Sequence, residues 1–222
     1  MRALILAAGK GKRLRPLTLF TPKPLLEVGH QPLIERHIER LKAAGITDIV
    51  INTSWLAQKI IGHLGHGERF GVHLRYVHEG DEPLETGGGM FNALPLLGEA
   101  PFLVVNGDTW HDIEFSGLRL QDGDLVNLVL VNNPEHNPRG DFILDGRRLR
   151  ERPEDAFGLT YSGVGIYHPK LFHGCQAGKW SVVPLIHQAI ANNQAAGCHH
   201  QGRWHDIGTL QRLLQASESI QS

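Results

Sequence analysis

The chain has 222 residues, 41% of them hydrophobic, and a formal net charge of -1 from 22 Lys and Arg against 23 Asp and Glu. It therefore lacks the basic excess of a nucleic-acid-binding protein, and its apolar runs are too short for a membrane span. The first apolar run is followed at once by basic residues, unlike a signal peptide, and Cys175 and Cys198 have no disulfide or zinc spacing. We expect a cytoplasmic protein without nucleic-acid or membrane partners, folded as one domain over residues 1–222.

The first half of the chain alternates predicted strands and helices. Apolar runs at 3–8 and 46–53 predict buried strands, and the segment at 72–79 predicts a third strand. Apolar residues at helical spacing predict helices within 31–45 and 54–65. This alternation favours a parallel sheet with helices on both faces, whose ligands bind beyond the carboxyl ends of the strands.

The second half continues the pattern with shorter elements. A glycine-rich stretch at 82–90 precedes a helix rich in Leu and Ala, and a buried strand at 101–112 breaks at Asn106-Gly107. No linker, internal repeat or hexapeptide repeat is visible, so we expect no C-terminal β-helix. The remaining predicted elements are a strand at 125–133, a hairpin at 139–154 about Asp145-Gly146, a strand and turn at 161–172, a helix at 181–194, a strand at 198–202 and a turn at 203–209 before a final helix.

The stretch "LILAAGKGKRLRPLT" at 4–18 is apolar and then glycine-rich and basic, a pattern suited to phosphate. It does not fit the dinucleotide fingerprint, because Leu14 stands where that motif needs its third glycine. It also fails as a nucleoside-triphosphatase loop, because Leu6 stands five residues before Gly11 and Arg13 follows the lysine. Neither of the two common phosphate loops is present.

The same loop still offers the groups that hold a triphosphate. Gly9 and Gly11 let backbone N–H groups approach an anion closely, and Arg13 offers a planar fork to phosphate oxygens. Lys23 supplies a second cation between two prolines that restrict where its ammonium points. The alternative interpretation is a basic turn that is merely exposed to solvent.

Two aspartates have the context of metal ligands. Asp108 follows a buried strand, and Asp206 lies before a tight turn at Gly208 and the start of a helix. A hard ion such as Mg²⁺ takes one or two protein carboxylates together with phosphate oxygens and water. Each aspartate alone is equally well explained as a helix cap or a turn residue. The pair in matching contexts favours a magnesium site.

Segments along nearly the whole chain resemble the sugar-1-phosphate nucleotidyltransferases in that family's order. The resemblance implies a Rossmann-like three-layer αβα sandwich with a mostly parallel sheet and small inserted strands. It also implies Mg²⁺ as cofactor and condensation of a nucleoside triphosphate with a sugar 1-phosphate to a nucleotide sugar and pyrophosphate. The matching segments are Gly9 to Thr18, Lys23-Pro24-Leu25-Leu26, Asn106-Gly107-Asp108, Gly140, Glu151-Arg152-Pro153 and Trp204-His205-Asp206-Ile207-Gly208-Thr209.

The resemblance assigns roles position by position. By it, Arg13 and Lys23 would hold the triphosphate, Asp108 and Asp206 the metal, Gly140 and Glu151 the sugar, and Arg152 the sugar phosphate. Two positions depart from the family's pattern, since Arg152 stands in place of a lysine and His205 in place of a leucine. Mg²⁺ prefers oxygen ligands, so packing or hydrogen bonding is the favoured interpretation of the histidine.

The residues around the expected base leave its identity open. We expect the backbone to approach a flat ring, with Glu79 or Asn106 reading its edge; the backbone positions are Ala7, Ala8, Gly9 and Gly87. A carboxylate accepts equally from N3–H of uracil and from N1–H and N2–H of guanine. Within the family the residues are most similar to short bacterial members of cell-wall recycling that couple UTP with N-acetyl-α-muramic acid 1-phosphate, giving UDP-N-acetylmuramic acid. Mannose-1-phosphate guanylyltransferases that use GTP are the alternative.

Muramic acid differs from mannose by its lactyl carboxylate and its N-acetyl group, so its site should offer an extra hydrogen-bond donor or cation. The candidates are the basic residues of the predicted hairpin, against the alternative of a solvated basic hairpin: Arg139, Arg147, Arg148 and Arg150. A hypothesis of another class is a catalytically silent nucleotide-sugar sensor with the same fold. The residues do not predict the oligomeric state.

Overall fold

The computed structural model describes residues 1–221. Its strands are β1 (Arg2–Leu6), β2 (Glu27–Val28), β3 (Gln31–Pro32), β4 (Asp48–Thr53), β5 (His73–His78), β6 (Phe102–Asn106), β7 (Thr109–His111), β8 (Val126–Val131), β9 (Phe142–Asp145), β10 (Arg148–Glu151), β11 (Thr160–Tyr167), β12 (Ala195–His200) and β13 (Trp204–Asp206). Its helices are α1 (Leu17–Phe20), α2 (Leu33–Ala43), α3 (Ala57–Leu64), α4 (Glu85–Leu97), α5 (Val183–Ala191) and α6 (Leu210–Gln221). None of the helices in this described part is both long and apolar enough to cross a membrane.

Nine strands form one large sheet in the order β5-β4-β1-β6-β11-β8-β12-β10-β9. The first four are parallel neighbours, and β8 and β12 form a further parallel pair. The strand β11 runs antiparallel between β6 and β8, so the carboxyl ends of β6 and β8 lie at the same edge. The expected α/β fold with a mostly parallel sheet is confirmed, and small two-stranded sheets β2-β3 and β7-β13 are its inserted strands.

Helices cover both faces of the sheet, and the side chains of β1 show how. Ala3 and Ile5 pack into the layer that contains α2 and α3, whereas Leu4 packs into the layer of α4 and α5. All three are fully buried. Strands covered on both faces carry apolar residues without alternation, which is the pattern visible in the sequence. The three-layer arrangement is confirmed.

Three details differ from the sequence predictions. The glycine-rich stretch does not precede α4 but forms its first turns, since the helix begins at Glu85. The hairpin turn consists of Gly146 and Arg147, one residue later than expected, because Asp145 still pairs with Arg148. The strand predicted at 198–202 is β12, which begins at Ala195.

Two histidines are buried where α2 packs against β7. His37 and His111 are each 2% exposed, and their ring centroids lie 5.3 Å apart. Burial disfavours the imidazolium form, and it lowers the pKa of His37 from 6.5 to about 4 and the pKa of His111 in the same direction. Both side chains are therefore neutral in the folded protein near neutral pH.

This burial predicts an acid-sensitive fold. The unfolded chain takes up a proton at His37 below about pH 6.5 and the folded chain only near pH 4, so the stability that this residue contributes is complete above pH 6.5 and is lost as the pH falls. His37 alone accounts for about 3 kcal/mol across that interval. Urea unfolding of wild type and His37→Leu between pH 7 and pH 4.5 measures the effect. The variant should show a flatter decline, and an identical slope would contradict a depressed pKa at His37.

Candidate active site

A cleft of about 340 Å³ opens at the carboxyl ends of β1 and β6. Its walls come from the loop after β1, the short turn at Lys23–Leu25, the end of β5 and the turn after β6. The structure brings most of the predicted site residues together here: Ala7, Ala8, Gly9, Gly11, Arg13, Lys23, Glu79, Asn106 and Asp108. The expected placement of ligands beyond the strand ends thus coincides with the cleft.

The two glycines of the first loop have different roles. A Cβ at Gly9 would meet no atom within 4 Å, so the missing side chain keeps this wall of the cleft open to an approaching group. Gly11 has φ +60°, and a Cβ there would lie 2.8 Å from the Cγ2 of Thr18. The Thr18 hydroxyl donates to the carbonyl oxygen of Gly11 at 2.8 Å. Gly9 therefore leaves space at the cleft wall, whereas Gly11 shapes the loop.

Lys23 is held in place by packing and by one carboxylate. The residue is 7% exposed, and its Nζ donates to Oδ2 of Asp108 at 2.6 Å. The backbone of Lys23–Leu25 forms a single turn of 3-10 helix after Pro22. A buried ammonium on a stiff turn has few alternative positions, so its charge is fixed beside the carboxyl end of β6.

The strands β7 and β13 bring together the backbones of two aspartates that are far apart in the sequence. Asp206 is the register partner of Thr109, the residue after Asp108. The N–H of Ile207 donates to the carbonyl oxygen of Asp108 at 2.8 Å. The backbones that carry the two carboxylates are therefore adjacent.

Each of these carboxylates is paired with a cation of the chain itself. Asp108 accepts from Lys23, and Asp206 accepts from Nη1 of Arg212, with Nε2 of His136 3.6 Å from its other oxygen. Both carboxylates thus bind positively charged groups, and aspartate oxygens are the hard ligands that Mg²⁺ prefers. Across residues 1–221 no cluster of three or more His, Cys, Asp and Glu is arranged for a metal. A cation at this site would complete its coordination with oxygens from elsewhere, which suits Mg²⁺ bound with phosphates.

A second cavity, of about 420 Å³, begins at Asp206 and extends between the loop after β8 and the first turns of α6. Gly208 lines the cleft while Asp206 lines the second cavity, so the two spaces lie on either side of one short turn. His205 also lines this cavity; its Nε2 lies 3.1 Å from the Ser219 hydroxyl and its ring is 5.8 Å from that of Trp110. The contacts of His205 are packing and hydrogen bonding.

Asn52 is a site residue that sequence reasoning missed. Its Oδ1 accepts the N–H of Ala7 at 2.6 Å, and its Nδ2 donates to Oε1 of Glu79 at 2.5 Å. The other carboxylate oxygen of Glu79 accepts the N–H of Leu84 at 2.7 Å. Burial raises the pKa of Glu79, and the bonds from Leu84 and Asn52 oppose that rise. The one available signal was a polar side chain inside an otherwise apolar predicted strand.

Besides Asp206, four predicted residues lie outside the cleft lining. Gly87 is buried beneath Trp180, and a Cβ there would lie 2.1 Å from the indole ring. The amide groups of Gly87 and Gly88 both donate to the carbonyl oxygen of Trp180 at 3.0 Å. Gly87 thus serves helix packing, because no larger residue fits below the indole. The remaining three, Gly140, Glu151 and Arg152, lie near one another on the β9-β10 side.

Arg152 is committed to its own loop. Its Nε donates to the carbonyl oxygen of Gly140 at 3.1 Å, and its Nη1 donates to that of Ala156 at 3.1 Å. Gly140 has φ +71°, and a Cβ there would lie 2.7 Å from both Asn133 and Gly158. Glu151 pairs with Nδ1 of His187 at 3.0 Å. These contacts hold Gly140, Glu151 and Arg152 in place near the end of the loop that follows β8 and lines the second cavity.

The hairpin arginines are also engaged elsewhere. Arg147 and Arg148 both bind the buried carboxylate of Asp124, at 2.8 and 2.5 Å. Arg150 lies 3.5 Å from Asp145 on the surface, and Arg139 donates to a backbone carbonyl oxygen at 2.7 Å. The pairing with Asp124 fixes the hairpin against the start of β8.

The chain is similar to known proteins along nearly its whole length. A family model described as nucleotidyl transferase matches residues 2–222. The N-acetylmuramate alpha-1-phosphate uridylyltransferase of Neisseria meningitidis is 48% identical over 97% of this chain and 96% of its own length. The protein of the same name from Caulobacter vibrioides is 36% identical, covering 98% of this chain and 96% of its own length.

More distant relatives differ in length or share the fold alone. The mannose-1-phosphate guanyltransferase of Aspergillus oryzae is 33% identical, and the match covers 98% of this chain but 63% of that protein. A proposed glucose-1-phosphate thymidylyltransferase from Bacillus anthracis, solved with sucrose, superposes with a TM-score of 0.86 at 23% identity over 100% of this chain and 96% of the other. That superposition establishes the same fold.

The hydrogen bonds from Asn52 and Leu84 to Glu79 predict that an isosteric amide at this position lowers the stability of the fold. In Glu79→Gln the new NH₂ group faces either the N–H of Leu84 or the NH₂ of Asn52, so one donor opposes another. We expect the free energy of unfolding to fall by about 1–3 kcal/mol in urea titrations. Glu82→Gln is the matched control, because Glu82 is exposed and its carboxylate pairs with Lys10 at the surface. Equal stability of both variants would contradict the role of Glu79.

Proposed function

The chain belongs to the nucleotidyl transferase family, and from that premise we propose that it transfers the uridylyl group of UTP to N-acetyl-α-muramic acid 1-phosphate. The products are UDP-N-acetylmuramic acid and pyrophosphate. The observation that carries the proposal is the 48% identity to the Neisseria enzyme over nearly the full length of both chains. The convergence of Arg13, Lys23 and Asp108 on one cleft supports it independently.

The nucleophile of this reaction needs no general base. The second pKa of a phosphate monoester is about 6, so the sugar phosphate is already a dianion at neutral pH. The chemical task is to bring two polyanions together in line and to stabilise the departing pyrophosphate. Fixed cations and positioning perform that task.

Lys23 and Arg13 are the proposed triphosphate residues. Lys23 is buried with its ammonium at the carboxyl end of β6, so its charge is in place before substrate arrives. Arg13 lines the same cleft, and its Nη2 lies 3.2 Å from the position that a Cβ would take at Gly208. A guanidinium fork binds two phosphate oxygens at once, whereas the ammonium acts as a point charge.

Asp108 and Asp206 would hold Mg²⁺. The adjacent backbones of the two residues and their carboxylate chemistry support this assignment. When bound, a divalent cation would neutralise phosphate oxygens around the phosphorus under attack. Lys23 and Arg212, which now pair with these carboxylates, would then be able to bind substrate anions.

The sugar and its phosphate are proposed to lie towards Gly140, Glu151 and Arg152. Gly140 belongs to the loop that lines the second cavity, and its carbonyl oxygen is fixed by Arg152. Glu151 is mostly exposed and is able to accept hydrogen bonds from sugar hydroxyls.

The free thiols of Cys175 and Cys198 support the proposed cytoplasmic location. We also propose that residues 1–222 form one domain.

A substrate matrix tests the function. The purified enzyme is given UTP or GTP with N-acetylmuramic acid 1-phosphate or mannose 1-phosphate, with and without Mg²⁺, and pyrophosphate is measured. We expect rapid release only with UTP, the muramate substrate and Mg²⁺. Preference for GTP with mannose 1-phosphate would replace the proposal by the guanylyltransferase alternative. Binding of nucleotide sugar with no pyrophosphate in any combination would instead identify a sensor.

The role of Lys23 predicts a loss of turnover without a loss of fold. Lys23→Met keeps the length of the stem and removes the charge, and kcat should fall by about 100- to 1000-fold. Circular dichroism and urea unfolding check that the variant is folded. Lys10→Met is the control, because Lys10 binds the exposed Glu82 on the rim and should leave kcat within about twofold. Near-normal kcat in Lys23→Met would remove Lys23 from the site.

A further inference from the structure

Arg212 lies between the cleft and the second cavity. Its Nη1 binds Asp206, while a Cβ at Gly208 would lie 2.2 Å from its Nη2. The side chain is 19% exposed, and its Nε lies 3.4 Å from the Thr209 hydroxyl. The absence of a side chain at Gly208 is what admits the guanidinium to this position.

His136 approaches the same guanidinium from the opposite wall. Its Nδ1 and Nε2 lie 3.1 and 2.9 Å from Nη1 of Arg212. A neutral imidazole has one acceptor nitrogen, so the other of these short contacts sets an N–H against an N–H. The guanidinium and the imidazole thus lie side by side at Asp206, and both groups are able to donate to an anionic oxygen.

We propose that Arg212, assisted by His136, binds the lactyl carboxylate of the sugar 1-phosphate and thereby selects the muramate substrate. The inference rests on the proposed function and assigns one residue pair to one group of that substrate. The phosphate end of the sugar must reach the α-phosphorus beside Asp108 and Asp206. The sugar body then extends into the second cavity, which begins at Asp206.

Arg212 is the guanidinium that the second cavity offers to a carboxylate. The lining side chains of this cavity include one guanidinium, that of Arg212, while Asp206 and Glu135 contribute carboxylates. With a divalent cation on Asp206, the fork of Arg212 would be free for another anion. The cavity volume of about 420 Å³ lies within the range of small-molecule sites.

The hairpin arginines are poorer candidates for the same role. Arg147 and Arg148 neutralise Asp124, whose side chain is 1% exposed, and removing either would leave a buried charge underpaired. Arg150 faces the surface beside Asp145. None of these three arginines lines the cleft or the second cavity.

The test compares two sugar phosphates that differ only in the lactyl group: N-acetylmuramic acid 1-phosphate and N-acetylglucosamine 1-phosphate. Steady-state constants with UTP and Mg²⁺ are measured for wild type, Arg212→Gln and Arg212→Lys. Wild type should prefer the muramate substrate. In Arg212→Gln the KM for that substrate should rise at least tenfold more than the KM for its analogue. Arg212→Lys should retain part of the preference, because a point charge replaces a fork.

Calorimetry gives a readout that does not depend on turnover. UDP-N-acetylmuramic acid and UDP-N-acetylglucosamine are titrated into wild type and Arg212→Gln, and the variant should lose affinity for the first product alone. Arg150→Gln is the matched control and should keep the wild-type preference. Urea unfolding confirms that each variant is folded.

Three results would overturn the inference. Equal losses for both sugar phosphates would place Arg212 at the 1-phosphate or beside the metal ligands. Loss of the preference in Arg150→Gln instead would return the role to the hairpin. Full preference in Arg212→Gln would exclude the residue altogether. Wild-type enzyme that releases no pyrophosphate from UTP and the muramate substrate would instead remove the proposed function itself.

Discussion

The candidate site depends on the pairing of two three-residue strands, β7 and β13. These strands lie outside the nine-stranded sheet, and their pairing places the backbones of Asp108 and Asp206 side by side. Gly107 makes the geometry available, since a Cβ there would lie 2.7 Å from the carbonyl oxygen of Leu6. The tight approach lets the chain leave β6 and turn towards β13. The backbones that carry the two carboxylates are adjacent because this short ladder forms.

A second organising feature is the balance of charge around those carboxylates. Lys23 and Arg212 each pair with one aspartate, so both carboxylates have a cation partner within the chain. If a divalent cation took these carboxylates, the two basic side chains would be free for an anion. Lys23 is buried, which limits how far its ammonium would move in such an exchange. Under the proposed function, binding of the metal and binding of the nucleotide would therefore be coupled.

Much of this arrangement was predictable because it follows from local rules. Strands buried on both faces carry continuous apolar runs, which revealed the order of strands and helices and so the cleft at their carboxyl ends. The glycines and Arg13 of the first loop, together with Lys23 between its two prolines, predicted a shared anion site, and these residues line one cleft. Other features depend on contacts between distant segments. Gly87 is poorly suited to a helix by propensity, and only the indole of Trp180 explains it. Arg212 gains its position from the turn between β13 and α6, which residue spacing alone does not define.

The β7-β13 ladder also gives the site its own fluorophores. Trp110 lies on one strand and Trp204 on the other, so two of the four tryptophans in the chain stand within two residues of a candidate metal ligand. Trp110 is 7% exposed, and the indole N–H of Trp204 donates to the carbonyl oxygen of Ser162 at 2.8 Å. We expect their emission to respond to charge placed at Asp108 or Asp206. Intrinsic tryptophan fluorescence is thus a means of following these two candidate metal ligands without an added label.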